Sequence, residues 1–189
     1  MTDELWFSVD VETSGPTPST GSLVSVGACV VGAPERTFYA EVQPLPDRPW
    51  SVEAQRVHGL SRAHLEASGR DVGEAIQAFV EWVESESAGR RAVFVGFNAP
   101  FDWMWIADLA WARVGRNPFG KSALDLKALY LGLHLPEVTA WRETSLSHVT
   151  KRYPTGMPHT HSALDDARGQ AEVCQLLLAA RGVVPPSGG

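Results

Sequence analysis

The sequence predicts an α/β fold: a mixed five-stranded sheet flanked by helices. Three observations carry this. Residues 5–11, 22–31 and 35–43 are apolar, β-favouring runs joined by short Gly- and Pro-containing connections, the pattern of an antiparallel meander. Residues 92–96 form a short apolar run without polar alternation, as expected of a central strand in parallel pairing. Beyond residue 71 helical and strand patterns alternate, which sets helices against a sheet.

Each element has a local reason. The first strand ends in Asp10, Val11, Glu12 and Thr13 before Gly15 and Pro16 turn the chain. Residues 44–49 are a Pro-rich loop, and Ser51 is placed to cap a helix that ends near Gly59. Asp71 caps a longer amphipathic helix whose apolar residues Val72, Ala75, Ile76, Phe79, Val80 and Val83 recur at helical spacing. Asn98, Ala99, Pro100, Phe101 and Asp102 open the next helix, with Pro100 in its first turn; it runs to about Gly115 and carries Trp103, Trp105 and Trp111. Residues 123–126 read as the fifth strand, leading directly into a helix over 127–133. A short helix is expected over 144–153. His159, Thr160 and His161 precede a final helix over 162–181. We expect a single domain over residues 1–182, followed by a Pro/Gly tail, 183–189, with no reason to be ordered.

Composition narrows the class. Hydrophobic residues make up 44% of the 189-residue chain and charged ones 20%, an ordinary globular balance. No run of about 18 apolar residues occurs, so no membrane span is expected. The start lacks the basic and apolar regions of a signal peptide, and Cys29 and Cys174 lie far apart in apolar surroundings, as reduced core residues of a cytoplasmic protein do. The net charge of −6 argues against a broad basic face for nucleic acid, though not against an enzyme gripping one strand end.

The acids are the unusual feature. Strand side chains alternate, so Asp10 and Glu12 point to the same side. Two like charges held that close need a compensating cation, and hard divalent metals take carboxylate oxygens. An isolated Asp-x-Glu is more often solvated or salt-bridged, but further acids stand in similar settings. Asp102 lies in the first turn of a helix that directly follows a buried strand, where α/β sheets place ligands; the bland alternative is a charge favoured by the helix dipole. Asn98 is placed to hold that loop through its side chain. Asp165 and Asp166 open the last helix about 100° apart. With Leu164, Ala167, Ala171, Cys174 and Leu178 marking the core side, Asp166 lies nearer the core than Arg168 or Glu172. His161 sits just outside the helix. His58, His64, His134 and His148 read as surface or satisfied core residues.

Three segments, Asp10-Val11-Glu12-Thr13, Asn98-Ala99-Pro100-Phe101-Asp102 and His161 through Asp166, occur in this order. Together they resemble the motifs of the DEDDh 3′–5′ exonucleases of the ribonuclease H-like superfamily, which includes the proofreading subunit of bacterial replicative polymerase, oligoribonuclease and ribonuclease T. Val57-His58-Gly59-Leu60-Ser61 is similar to a segment common in that family, and Arg116-Asn117-Pro118-Phe119 looks most like ribonuclease T. The resemblance implies a ribonuclease H-like sheet and a metal-dependent 3′–5′ exonuclease acting on 3′ ends of single-stranded RNA or DNA. It implies Asp10, Glu12, Asp102 and Asp166 as ligands of two Mg²⁺ or Mn²⁺ ions and His161 as general base. Thr13, His58, Asn98 and Phe101 are then substrate-binding, with Phe101 beside the terminal base or sugar. The five-residue step from His161 favours Asp166 over Asp165. Phe97 departs from the family, many of whose members have His there. The ribonuclease T likeness also leaves a homodimer open.

The chemistry has reason to use these residue types. Two divalent ions about 3.5–4 Å apart can activate a water and stabilise the leaving 3′ oxygen. A histidine changes charge close to neutral pH and suits a general base. The product would be a nucleoside 5′-monophosphate. Candidate cations for the strand are Arg56, Arg62, Arg113, Arg116, Lys121, Lys151 and Arg152; candidate stacking aromatics are Phe101, Trp103, Trp105 and Trp141. Two rivals stand beside this reading: an oligoribonuclease-like phosphodiesterase for very short oligonucleotides, and a non-catalytic nucleic-acid-binding module, which would be expected to lose acids that this chain keeps.

Overall fold

The structure is a computed structural model that describes residues 3–156 and 160–185. Among these residues five strands form one sheet. β1 (Glu4–Thr13) and β2 (Leu23–Val30) pair antiparallel, as do β2 and β3 (Ala33–Glu41). β4 (Arg91–Gly96) and β5 (Ala123–Asp125) extend the sheet on the other side of β1 in parallel, giving the order β3-β2-β1-β4-β5. The meander and the parallel central strand are thus as the sequence patterns predict.

The helices follow their caps. α1 (Val52–His58) starts at Ser51, whose Oγ accepts from Ala54 N at 3.1 Å, and stops at Gly59 with φ 75°. α2 (Arg62–Ser68) leads to Arg70, which hydrogen-bonds Glu41 and Gln43 and so occupies the outer edge of β3. α3 (Val72–Ser87) is capped by Asp71, which accepts from Gly73 and Glu74 N. α4 (Pro100–Leu109) continues as a π-helical turn, Ala110–Val114, closed by Gly115. α5 (Leu126–His134) follows β5. The helix expected over 144–153 is shorter: a 3₁₀ turn, Trp141–Thr144, precedes α6 (Leu146–Arg152). The chain ends with α7 (Ala163–Ala179). Of the expected tail, 183–185 carry no helix or strand and 186–189 lie outside the described residues, as does His159.

Alternation along β1 separates two cores. Leu5, Phe7, Val9 and Val11 face α3 and α4, packing with Ile76, Phe79, Trp105 and Ile106. Trp6 turns to the other face, toward α5, α6 and α7, whose Leu126, Val149, Cys174 and Leu177 form the second core. Asp10 and Glu12 share the parity of Trp6 and lie on that α7 face. The final helix buries Ala163, Asp166, Ala167, Gln170, Ala171, Val173, Cys174 and Leu177. Leu164 and Leu178, expected on the core side, are only half-buried, because the stripe is centred about Asp166 and Gln170 instead.

One glycine sets the height of α7 over the sheet. Gly27 lies opposite Asp10 in the β1–β2 register. A Cβ there would fall 2.2 Å from the Ala163 carbonyl carbon and the Leu164 nitrogen. Only a bare backbone lets the first turn of α7 come down beside Asp10.

Candidate active site

β1 and β4 are parallel neighbours whose connections leave in opposite directions, β1 to β2 and β4 toward β5. A crevice forms outside the carboxyl ends of such strands. Their pairing stops at Ser8 with Val95, while β1 runs on to Thr13. The backbone N–H of Val11 is served by a side chain: it donates to Asp102 Oδ1 at 3.0 Å. This bond spans from β1 to α4 and fixes the third acid against the first two. Asp102 is buried, as is Asp166 in the first turn of α7.

The structure brings the predicted acids into one electrostatic field. Burial raises the Asp10 carboxyl well above its ordinary range, and Asp102, Glu12 and Asp166 raise it further; a bond from Gln170 opposes them. Glu12 is pushed up to about 8 by burial, then by Asp166 and Asp102. Asp102 rises to about 7, chiefly by burial, against the lowering effect of the Val11 N–H. Ligating atoms of Glu12, His161 and Asp166 all lie within 4.8 Å of one another. His161 occupies the left-handed region, φ 56°, at the entry to α7. Thr160 braces the helix start, its N–H donating to Asp166 Oδ1 at 3.1 Å and its hydroxyl to Asp165 Oδ2 at 3.3 Å. Asp165, the rival acid, instead turns to Arg168 at 3.8 Å.

This donor set fits a divalent cation. Hard carboxylate oxygens dominate it, and their elevated pKa values record how poorly the pocket tolerates the anions without positive charge. A cavity of about 810 Å³ opens from Asp10, Asp166 and Gln170 toward Phe97, Leu146 and Thr150, within the size range of ligand clefts.

The other predicted residues divide. Thr13 is buried beside Glu12, and its hydroxyl donates to Gly15 O at 2.9 Å. Phe101 is half-buried against the first core. Asn98 holds its loop through the backbone rather than the side chain: its N–H donates to Asp125 Oδ1 at 3.0 Å and its carbonyl accepts from Phe101 N. Its φ of 67° explains the choice of Asn, which tolerates that region. His58 is buried with Trp50 edge-on, its Nδ1 accepts from Leu60 N at 3.1 Å, and burial lowers its pKa. Among the aromatics, Trp105 belongs to the core and Trp103 packs on Phe94, whereas Trp141 is exposed with Lys127 over its ring. Of the cations, Arg62, Arg116 and Arg152 are engaged by Glu66, Glu84 and Glu137.

Two residues escaped the sequence reading. Gln170 donates from Nε2 to Asp10 Oδ1 at 2.6 Å and accepts at Oε1 from Phe97 N at 2.9 Å. Its signal was a polar residue one helical turn beyond Asp166, on the same face. Asp125 accepts from Asn98 and Lys127 and raises Asp102. A carboxylate ending the fifth strand could have been read as a cap for α5.

A carboxylate cluster at the switch point of such a sheet suits a metal-dependent phosphodiester hydrolase, and the relatives agree. A family model, the 3′-5′ exoribonuclease Rv2179c-like domain, matches residues 6–178. The chain is 40% identical over 175 residues to the 3′-5′ DNA exonuclease Cap18 of Escherichia coli, covering 92% of this chain and 91% of that protein. The fold is shared with the nuclease domain of 3′hExo, a DEDDh family member bound to rAMP (TM-score 0.74, 12% identity, 94% of this chain and 92% of that one). It is shared also with exonuclease I (TM-score 0.73, 17% identity, 93% of this chain and 41% of that one). The chain belongs to the Rv2179c-like family of 3′-5′ exonuclease domains and is a 3′–5′ exonuclease. Membership implies dependence on a divalent metal. No described helix is long and apolar enough to cross a membrane.

Proposed function

We propose that the chain, acting as one domain over residues 1–182, removes nucleoside 5′-monophosphates from the 3′ end of single-stranded DNA. The observation that carries the site assignment is the shared field of the acids: Glu12, Asp102 and Asp166 raise the Asp10 pKa, and Asp166 and Asp102 raise that of Glu12. The choice of DNA rests on the 40% identity to a DNA exonuclease; the family model's description, an exoribonuclease, supports RNA as the second reading.

In this reading the four acids hold two divalent ions, Mg²⁺ or Mn²⁺. Bound there, the metal supplies a more acidic water and charge neutralisation at the phosphate. His161, close to Glu12 and Asp166, takes the proton of the attacking water. Asp102 holds the end of β1 in register through Val11, which occupies one of its two oxygens. Thr13, His58, Asn98 and Phe101 frame the terminal nucleotide, the left-handed Asn98 turning the chain just before the helix that carries Phe101. A homodimer and a cytoplasmic location complete the proposal, the first measurable by sedimentation.

The test is a pair of matched 5′-labelled single strands, one DNA and one RNA, with and without Mg²⁺. We expect stepwise shortening of DNA only with metal. Shortening of RNA alone would reverse the substrate choice, and preference for dimers in a length series would favour the short-oligonucleotide enzyme.

A further inference from the structure

We infer that Gln170 is a positioning residue for the metal site, orienting Asp10 and tying it to the loop that leads into the helix carrying Asp102. The inference rests on the reading of Asp10 as a metal ligand. Its basis is a hydrogen-bond network that fixes the amide's direction. The Phe97 backbone N–H can only donate, so the atom it meets at 2.9 Å is Oε1. The NH₂ end of the same amide therefore faces Asp10 Oδ1, at 2.6 Å. Gln170 is 7% exposed, and its neighbours Val173 and Ala171 belong to the second core, so its rotamer is confined by packing.

Three elements meet on this one side chain. Asp10 comes from β1, Gln170 from α7, and Phe97 from the short segment between β4 and α4, the helix whose first turn carries Asp102. The amide donor fills one lone pair of Asp10 Oδ1, so the remaining lone pairs of the carboxylate would be the ones to hold an ion. Partners of this kind behind metal-ligating groups set their orientation, and losing one typically weakens metal binding roughly 10–100-fold. Gln170 also lines the cavity that opens from the acids, together with Asp10, Asp166, Leu146 and Val173.

Gln170→Met and Gln170→Leu keep a side chain of similar bulk while removing both the donor and the acceptor. Mn²⁺ is titrated calorimetrically into each protein without nucleic acid, and metal-free melting is recorded alongside. We expect the Mn²⁺ dissociation constant to rise roughly 10–100-fold with melting little changed. The turnover of a single-stranded oligonucleotide should fall at limiting Mn²⁺ and recover as Mn²⁺ is raised, with KM unchanged. In an Asp10→Asn background the same substitution should no longer alter Mn²⁺ affinity, since Gln170 acts through Asp10. Parent-like Mn²⁺ affinity in a folded variant overturns the inference, as does an equal loss in the Asp10→Asn background or a turnover that extra Mn²⁺ does not restore. A parent protein that takes up no Mn²⁺ overturns the metal reading itself, a different result from parent-like binding in the variants.

Discussion

His161 and Asp102 couple chemistry to backbone in different ways. At His161 the left-handed conformation is one that non-glycine residues rarely adopt, at a cost of order 1–3 kcal/mol, and such strain gathers at functional sites. His161→Ala should lower turnover by roughly 10²–10⁴ through loss of the general base. His161→Asn tolerates the same backbone and isolates the ring. Equal losses in both, with unchanged melting, assign the effect to the imidazole; an unchanged rate in either removes His161 from that role. At Asp102 a single oxygen serves a buried N–H. Asp102→Asn and Asp102→Ala should both be inactive, yet the Ala variant should unfold at lower urea. It strands the Val11 N–H, at a cost of about 1–3 kcal/mol that the amide oxygen of Asn avoids. Equal stability of the two variants would show that Val11 finds another acceptor.

At the scale of elements, the placement of α7 decides whether Asp166 meets Asp10, and backbone contact at Gly27 decides the placement of α7. Gly27→Ala introduces one methyl group where the helix already touches. Overpacking of this kind costs about 1–3 kcal/mol, and an ångström of misplacement in a site can cost about 10²-fold in rate. We expect lower urea stability and activity reduced by up to that factor, although Gly27 carries no functional group; a variant as stable and active as the parent would show that the helix rides up without carrying Asp166 away. The sequence makes most of these elements legible, because caps such as Ser51 and Asp71 and the alternation of β1 are local signals. Asp10, Glu12, Asp102 and Asp166 draw notice as acids next to apolar segments, but each has a bland local explanation, and only their order together with His161 resembles a known set of motifs. Gln170 was not legible, because a glutamine within a helix is unremarkable until the strand it faces is known. Nor was the need for glycine at 27, which arises from a helix more than a hundred residues later in the chain.

For the whole molecule, the acid cluster makes stability depend on pH and metal together. The folded-state values of Glu12, about 8, and Asp102, about 7, lie above ordinary carboxylate values. Between those limits the metal-free folded protein binds more protons than the unfolded chain, so its stability falls as pH rises through the window. Metal must displace those protons, so its stabilising effect grows over the same range. We expect the metal-free melting temperature to decline from about pH 5.5 to about pH 8.5, and the gain on adding Mg²⁺ to be larger at the higher pH. Glu12→Gln should flatten the metal-free curve; a flat curve in the parent would mean that the four acids do not share one field. Surface pairs such as Glu84–Arg116 and Glu137–Arg152 have lowered carboxyl pKa values and lose their contribution only at more acidic pH.

The bond from Val11 to Asp102 has a historical corollary. A lineage that abandoned hydrolysis could discard the carboxylate of Glu12, yet position 102 would still be pressed to keep an oxygen, in Asn, Ser or Thr if not in Asp. Among distant descendants of this chain, then, persistence of an acceptor at 102 testifies to the upkeep of the sheet, and the acid at 12 is the better witness that cleavage survives.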